Sequence, residues 1–502
     1  MRWLFTTYRL TVSLILLLIV VSCDDKATSL QETNDEIVIT SEIITETYAG
    51  NGVQWGGYDI LTEWIGTPSL SNEDWDKLFK RVTFMRPPLV RIMVSDGWNY
   101  MINGEYNPAK SNDILIKILD FCQAQNITVI IGEWGHKGDN SIDEQWLDNS
   151  VNFLDYLIVT KNYTCIKYFN MVNEPNGSWS SIDGNFMLWK SLIEQFHDKL
   201  ITKNIDSKIK IIGPDVAVWS TNLISWITNT NYELGDKVGA YDIHTYPTET
   251  EVRTGTYFEM IKSYQNEVPN AKEMFMCEFG FKYSTLSELG IENALRKAND
   301  KYASDDSNMM IYDSFYGIDV VDAIMQNMLA GYSGIILWNL DDAMYNSDGS
   351  NSTKLKRWGF WNILGSEKFE NASDENIRPW FYPASLMSRY FPAGSSIINV
   401  TLPDKKGLRA VVGTKDGRYS IAIVNSNFVK YTIDLKATNE LVMTSVKVYQ
   451  YIAGEDSNFT GATDNDGFAV PSLTDDSINL SPTIAKTLSL PPQSFFLFTN
   501  MD

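Results

Sequence analysis

Cysteine, histidine and basic residues are all scarce in this chain. Of 502 residues, four are cysteine and three are histidine. Beyond Cys23, the cysteines are Cys122, Cys165 and Cys277, an odd number without a CxxC pair. That excludes a disulfide framework and points to buried free thiols. His136, His197 and His244 form neither HExxH nor any paired spacing, which argues against a metal hydrolase; no metal or other cofactor is implied. Lys and Arg number 41 against 63 Asp and Glu, a formal charge of −22. Such a surface disfavours nucleic acid and anionic membrane as partners. No GxGxxG or P-loop follows any apolar run, so nucleotide binding has no support. What the chain does have is aromatic residues, with 15 Trp and 25 Tyr. Most suit a core, and an excess of this kind also suits stacking against sugar rings.

The N-terminus reads as a targeting segment. Arg2 and Arg9 precede the apolar run Leu10 to Val21, which is short for a spanning helix. Val20-Val21-Ser22-Cys23 resembles a bacterial lipobox, which implies a signal peptide over 1–22 and a lipidated Cys23. The alternative is an ordinary signal peptide or anchor with an incidental cysteine. Asp24-Asp25-Lys26 resembles the surface-export signal of Bacteroidetes lipoproteins. The resemblance implies a protein lipid-anchored to the outer membrane and facing the cell surface, with the membrane touched only through the anchor. Residues 23–35 are polar and read as a tether.

Short apolar runs then alternate with helical patterns, the mark of βα units on a parallel sheet. Strands are expected at 53–55, 89–94, 128–133, 166–173, 209–213, 240–244, 274–278 and 335–339. Helices are expected at 72–85, with Ser71 as N-cap, and at 113–125, 144–161, 186–203, 221–228, 257–265, 318–330 and 383–390. Eight units make a (β/α)8 barrel over 51–392 the economical topology; an open doubly wound sheet is the alternative. After Pro392 short alternating strands predict an antiparallel β-sandwich over 393–502. The β-rich segment 36–50 is a candidate to pair with it.

Two strands end in a carboxylate. Tyr168-Phe-Asn-Met-Val-Asn-Glu-Pro-Asn176 stops at Asn173-Glu174-Pro175, and Lys272-Glu-Met-Phe-Met-Cys-Glu-Phe-Gly280 stops at Glu278. The C-terminal tips of barrel strands carry that fold's chemistry, and two carboxylates are what glycoside hydrolysis needs. Cys277 adjoins Glu278, but strand alternation turns the two side chains to opposite faces, so no nucleophilic role is read for it.

The ordered set resembles a clan A glycoside hydrolase, nearest by motif to family 5, the cellulase-like family, or to a neighbouring family. Asn173-Glu174-Pro175 matches that family's acid/base after strand four, and Glu278 its nucleophile after strand seven. His244-Thr245-Tyr246 matches its His-x-Tyr after strand six, Arg91 its arginine on strand two, and Trp338 its tryptophan ending strand eight. Strand three departs from family 5: Gly132-Glu133-Trp134 stands where a histidine is usual, with His136 slightly beyond. Asn-Glu-Pro-Asn is similar to family 39 as well.

The resemblance implies a retaining, endo-acting enzyme on a β-linked polysaccharide or oligosaccharide, β-glucan or β-mannan foremost, working as a monomer. Glu278 is expected as nucleophile and Glu174 as acid and then base. Two carboxyls that close should raise one pKa, and Glu174 is expected to carry the raised value. Asn173 is placed to bind the sugar 2-OH, Tyr246 to steady Glu278, Arg91 to pair with Glu278, and Trp338 to floor the site. His244, Glu133, Trp134 and Trp55 complete the candidate substrate-binding set. Each has a structural alternative: an ion pair for Arg91, a satisfied core histidine for His244, packing for the tryptophans. Trp358, Phe360 and Trp361 either form outer subsites or cover the barrel, and Asp341-Asp342 either hold hydroxyls or hold loop backbone. A competing class is a surface glycan-binding lipoprotein that keeps the barrel without catalysis.

Overall fold

A computed structural model describes residues 35–58, 70–109, 112–136, 141–344 and 354–502. The signal segment, Cys23 and nearly all of the tether lie outside the described residues. Among the described residues no helix is long and apolar enough to cross a membrane.

Eight parallel strands close into a barrel: Gly50–Gln54, Leu89–Val94, Thr128–Glu133, Ile166–Asn170, Lys210–Ile212, Val238–Thr245, Glu273–Phe279 and Gly334–Leu337. The eighth closes onto the first, with Gly334 opposite Gly50 and Leu337 opposite Val53. Alternation sorts the side chains. Leu89, Ile130, Tyr168, Ile212, Ala240, Phe275, Cys277 and Ile336 pack together inside the barrel, while Val90, Ile92, Val94, Val129 and Ile131 belong to the larger core outside it. The interior is therefore a filled plug, and polar side chains collect only at its upper end.

The helices begin where local chemistry says they should. Ser71 caps Asn72–Met85, and Asp74 at its third position returns the bond in a capping box. Asn185 caps Phe186–Lys203. Under the first of these helices lies Trp55, wholly buried. Its ring meets Phe79 and Phe121 edge-on at 6.2 and 5.6 Å. This corrects the reading of Trp55 as a substrate contact: the first strand ends at Gln54, and Trp55 packs among the helix side chains outside the barrel wall.

Two barrel strands are irregular, and both irregularities matter. Strand five is broken: Lys210–Ile212 and Val216–Val218 are separate pieces that both pair with strand six. Gly213-Pro214-Asp215 forms the break, and Asp215 sits at φ 59°. On strand seven Met276 pairs with Ile243 but Glu278 pairs with His244, so Cys277 is the extra residue of a bulge. The bulge overturns the expectation that Cys277 and Glu278 face opposite sides. Cys277 joins the interior plug, and Glu278 still reaches the upper end.

Asp35–Tyr48 runs antiparallel to Ser395–Thr401 and parallel to Tyr431–Ala437. It thereby joins the antiparallel β domain, a ten-stranded sheet folded around Ile37, Ile39, Leu408, Val412, Ile423, Leu435, Met443 and Phe498. One of its strands, Leu473–Leu480, has no apolar alternation to announce it; its Asp475-Asp476-Ser477 face is largely exposed, at a sheet edge where charge discourages further pairing. The helix Ser314–Ala330, buried on nearly every side, lies between barrel and β domain. Tyr451 donates to the Ser314 carbonyl at 2.7 Å and Ser426 to Asp322 at 2.6 Å, so residues 35–502 form one compact unit.

Candidate active site

Glu174 ends the segment after strand four. Its φ of 49° lies in the left-handed region, and Pro175 follows. A non-glycine residue held there is strained, and the turn it makes aims the carboxylate over the barrel mouth. Asn176, two residues on, grips the broken strand: its amide donates to the Ala217 carbonyl at 2.8 Å and accepts from the Ala217 N–H at 2.9 Å.

Glu278 rises opposite, nearly buried. Its Oε2 accepts from Arg91 at 3.0 Å and its Oε1 from the Tyr246 hydroxyl. Burial and the neighbouring Glu278 charge push the Tyr246 phenol well above its ordinary pKa, so it remains a donor. One oxygen of Glu174 and one of Glu278 lie within 4.8 Å of each other. That is the short carboxyl separation of retaining chemistry, about 5–5.5 Å, with no room for the intervening water of an inverting site.

Beneath the pair runs a charged layer. Arg91, wholly buried, donates to Glu278, to Asn173 at 2.9 Å and to Asp215 at 2.9 Å. Because Arg91 takes the Asn173 oxygen, the Asn173 amide keeps its N–H donors for a ligand. His244 bridges Glu174 at 3.1 Å through Nδ1 and Asp215 at 2.8 Å through Nε2. Burial opposes charge on this ring, but the carboxylates of Asp215 and Glu278 outweigh it and lift the pKa to about 10. Asp215 is also buried, yet Arg91 and His244 hold it below the usual carboxylate range. Asp242, which accepts from the Asp215 N–H at 2.8 Å, is driven well above that range by burial and the Asp215 charge, and so is neutral.

Glu174 itself comes out opposite to expectation. Burial pushes its pKa up, but the hydrogen bond and charge of His244, helped by the Trp179 N–H, hold it below its ordinary value. The opposing charge is that of Asp215, and the imidazolium bonded to Glu174 at 3.1 Å outweighs both it and burial. The proton expected on Glu174 resides on His244.

Several other candidates are corrected. Arg91 and His244 spend their polar contacts on protein carboxylates and Asn173, so they organise the acids rather than touch a sugar. Glu133 lies outside the barrel wall, buried and accepting from Tyr100 at 3.0 Å, with burial pushing its pKa well up. His136 belongs to a separate surface cluster with Asp96 and Asp143. Trp134 is half-buried just past strand three, and Trp338 is nearly buried at the end of strand eight. Trp358 is buried and meets Tyr246 edge-on at 5.6 Å, while Phe360 and Trp361 pack on Trp380 and Phe381. Asp341 serves Trp361, Tyr58 and loop backbone, and Asp342 serves Arg357, Arg378 and loop backbone. Cys277 stays a thiol, its pKa raised by burial and by Asp242.

Three residues of the site carried no motif. Asp215 follows Gly213-Pro214 at a strand break, a proline-stopped apolar run much like the one at Glu174, and that was the signal available. Trp179 and Trp219 stand in loops after strands four and five. As for a cation, among the described residues two sets are close enough to chelate one: Glu174, His244 and Glu278, and Asp215, Asp242 and His244. Arg91 and the charged His244 already supply the positive charge between these carboxylates.

No protein-family model matches this chain, and no curated protein matches it in sequence. Solved structures do. A glycoside hydrolase family 30 subfamily 8 xylanase from Clostridium acetobutylicum aligns at 15% identity over 92% of this chain and 99% of its own, with TM-score 0.56. An α-L-arabinofuranosidase from Thermotoga maritima aligns at 14% over 93% and 99%, with TM-score 0.61. A family 39 β-xylosidase from Caulobacter crescentus aligns at 12% over 92% and 99%, with TM-score 0.57. The likeness spans barrel and β domain alike and is one of fold: this chain has the architecture of barrel glycoside hydrolases.

Proposed function

We propose that this protein is a retaining glycoside hydrolase acting on O-glycosidic bonds of a β-linked polysaccharide or oligosaccharide. The observation that carries the reading is the pair Glu174 and Glu278, facing each other within 4.8 Å and each held by dedicated partners. A barrel that only bound glycans would have no use for two facing acids at that separation.

Glu278, fixed by Arg91 and Tyr246, attacks the anomeric carbon and forms a covalent glycosyl-enzyme. Glu174 protonates the departing oxygen. Its proton comes from His244, whose Nδ1 lies 3.1 Å from Glu174 Oε1, so acid and imidazolium work as one coupled donor. Glu174 then deprotonates the water that releases the sugar, and the proton returns to His244. Asn173 donates to the 2-OH, whose bond strengthens in the transition state. β-Glucan and β-mannan are the leading substrates, cleaved internally. Xylan and arabinan belong in the same panel because similar folds carry xylanase and arabinofuranosidase names. The Cys23 motif supports a lipid tether to the outer membrane with the barrel facing outward, and the protein is proposed to act as a monomer.

The test is reducing-sugar release from a panel of β-glucans, mannan, xylan, arabinan and galactan by the chain starting at residue 30, with Glu174→Gln/Glu278→Gln as control. Release from a β-linked glycan by the wild type alone supports the reading; release from arabinan alone, an α-linked glycan, would keep the glycosidase and overturn the β-linked substrate. Binding of a glycan by the wild type without cleavage of any would replace the glycosidase with a binding protein.

A further inference from the structure

We propose that Trp179 and Trp219 form the platform that binds the leaving-group side of the glycan, the sugars beyond the scissile bond. The proposal rests on the glycosidase reading and deepens it. Among the described residues these are the two exposed tryptophans, at 60% and 51% of full exposure. An indole is a large apolar surface that folds normally bury, and two of them left side by side in water mark a binding surface. Their ring centroids are 6.2 Å apart.

Trp179 is fixed in place from two sides. Its N–H donates to Glu174 Oε2 at 2.8 Å. Its ring lies so close over Gly177 that a Cβ there would come within 2.2 Å of it. Trp219 follows Val216–Val218, the strand piece that Asn176 clamps. The Trp179 ring is thus fixed on Glu174, and the backbone leading to Trp219 is anchored by Asn176, two residues beyond Glu174. Trp219 also lines an open cleft of about 620 Å³ together with Tyr246, Thr248, Glu259 and Lys282, and Tyr246 is the residue that donates to Glu278. A cleft of that size lies within the range of ligand sites.

The reaction geometry says which end of the substrate goes there. The sugar under attack lies over Glu278, with its 2-OH on Asn173. The departing oxygen must face Glu174, and the chain attached to it therefore leaves past Trp179 and Trp219 into the cleft. Sugar rings offer their C–H faces to indoles. The two planes are inclined at 81°, so consecutive rings meet them only in a chain that turns from one sugar to the next. A helically twisted glycan such as β-1,3-glucan does that better than the flat ribbon of β-mannan, so of the two leading substrates the platform favours the glucan.

The experiment compares kcat/KM on the polysaccharide that the wild type cleaves with kcat/KM on the glycosyl fluoride of the same glycone. Fluoride is a single-atom leaving group and reaches no platform. The variants are Trp219→Ala, Trp179→Ala and the conservative Trp219→Tyr. In Trp219→Ala the polysaccharide-to-fluoride ratio should fall about tenfold, the size of one good stacking contact, and transfer of the glycosyl-enzyme to an added oligosaccharide should fall with it; Trp179→Ala also loses the bond to Glu174 and should fall at least as far. Trp219→Tyr should recover most of the ratio. The ratio is read within each variant, so a lower yield of folded protein does not mimic the effect. A wild-type ratio in Trp219→Ala would overturn the platform and leave the glycosidase standing, whatever Trp179→Ala does, because Trp179 also donates to Glu174. A wild type that hydrolyses neither substrate would overturn both.

Discussion

Glu174 Oε1 and His244 Nδ1 stand 3.1 Å apart, and the position of the proton between them governs the site. With the His244 pKa lifted to about 10, that proton persists into alkaline solution. His244→Gln removes it and leaves Glu174 to carry its own. The alkaline limb of the pH–kcat profile should then move to lower pH by more than about one unit; an unmoved limb would show that His244 takes no part in the donation. The same residue sets a stability trend. Its folded-state pKa of about 10 lies above the ordinary 6.5, so it stabilises fully below the lower value and loses that contribution as pH rises through the upper one. The melting temperature should fall between pH 7 and 10, and less steeply in His244→Gln, as calorimetry would show. Trp55 makes a contrasting case. As a core residue it should cost about 3–5 kcal/mol on Trp55→Ala in denaturant unfolding; a subsite role would lower substrate affinity at unchanged stability. The sequence could mark Glu174, Glu278, Tyr246 and Arg91 because each sits at a strand end or within a strand in a recognisable order. It could not mark Asp215, whose place depends on a strand break, or the proton on His244, which depends on charges brought together from strands two, five, six and seven.

Elements were legible in proportion to the strength of their period. The helices at 72–85, 113–125 and 186–203 and the strands at 89–94 and 128–133 coincide with their apolar patterns to the residue. The pattern fails where the chain is irregular for a reason. The bulge at Cys277 keeps Glu278 pointing into the mouth while the residue before it fills the plug, and simple alternation cannot forecast an inserted residue. Leu473–Leu480 escaped notice because an exposed edge strand need not alternate. Well-patterned elements also make a quantitative forecast. Ser71→Ala removes the capping box of the helix Asn72–Met85, far from the carboxylates, and should cost about 1 kcal/mol in urea unfolding while kcat/KM stays as it was.

At the scale of the whole molecule, the chain returns to its beginning. Asp35–Tyr48 lies in the β domain between strands that follow it by more than 340 residues; Ile37 and Ile39 are buried in that domain's core, and Tyr48 in the core it shares with the barrel. Each buried side chain of this size contributes about 1.5–3 kcal/mol, so together they approach the roughly 5–15 kcal/mol that holds a typical domain folded. A chain starting at residue 49 should therefore be insoluble or melt far below one starting at residue 30, with differential scanning fluorimetry as the readout. Equal melting temperatures would mean that the segment is a dispensable ribbon.

The stereochemistry of cleavage tests the paired carboxylates most directly. Proton NMR of the product formed in the first moments of hydrolysis, before mutarotation, reads the configuration at the new anomeric carbon. Retention of the β configuration is expected, because two carboxyls this close leave room for a covalent intermediate and none for an interposed water. An α product formed first would contradict a nucleophilic Glu278 and with it the proposed mechanism.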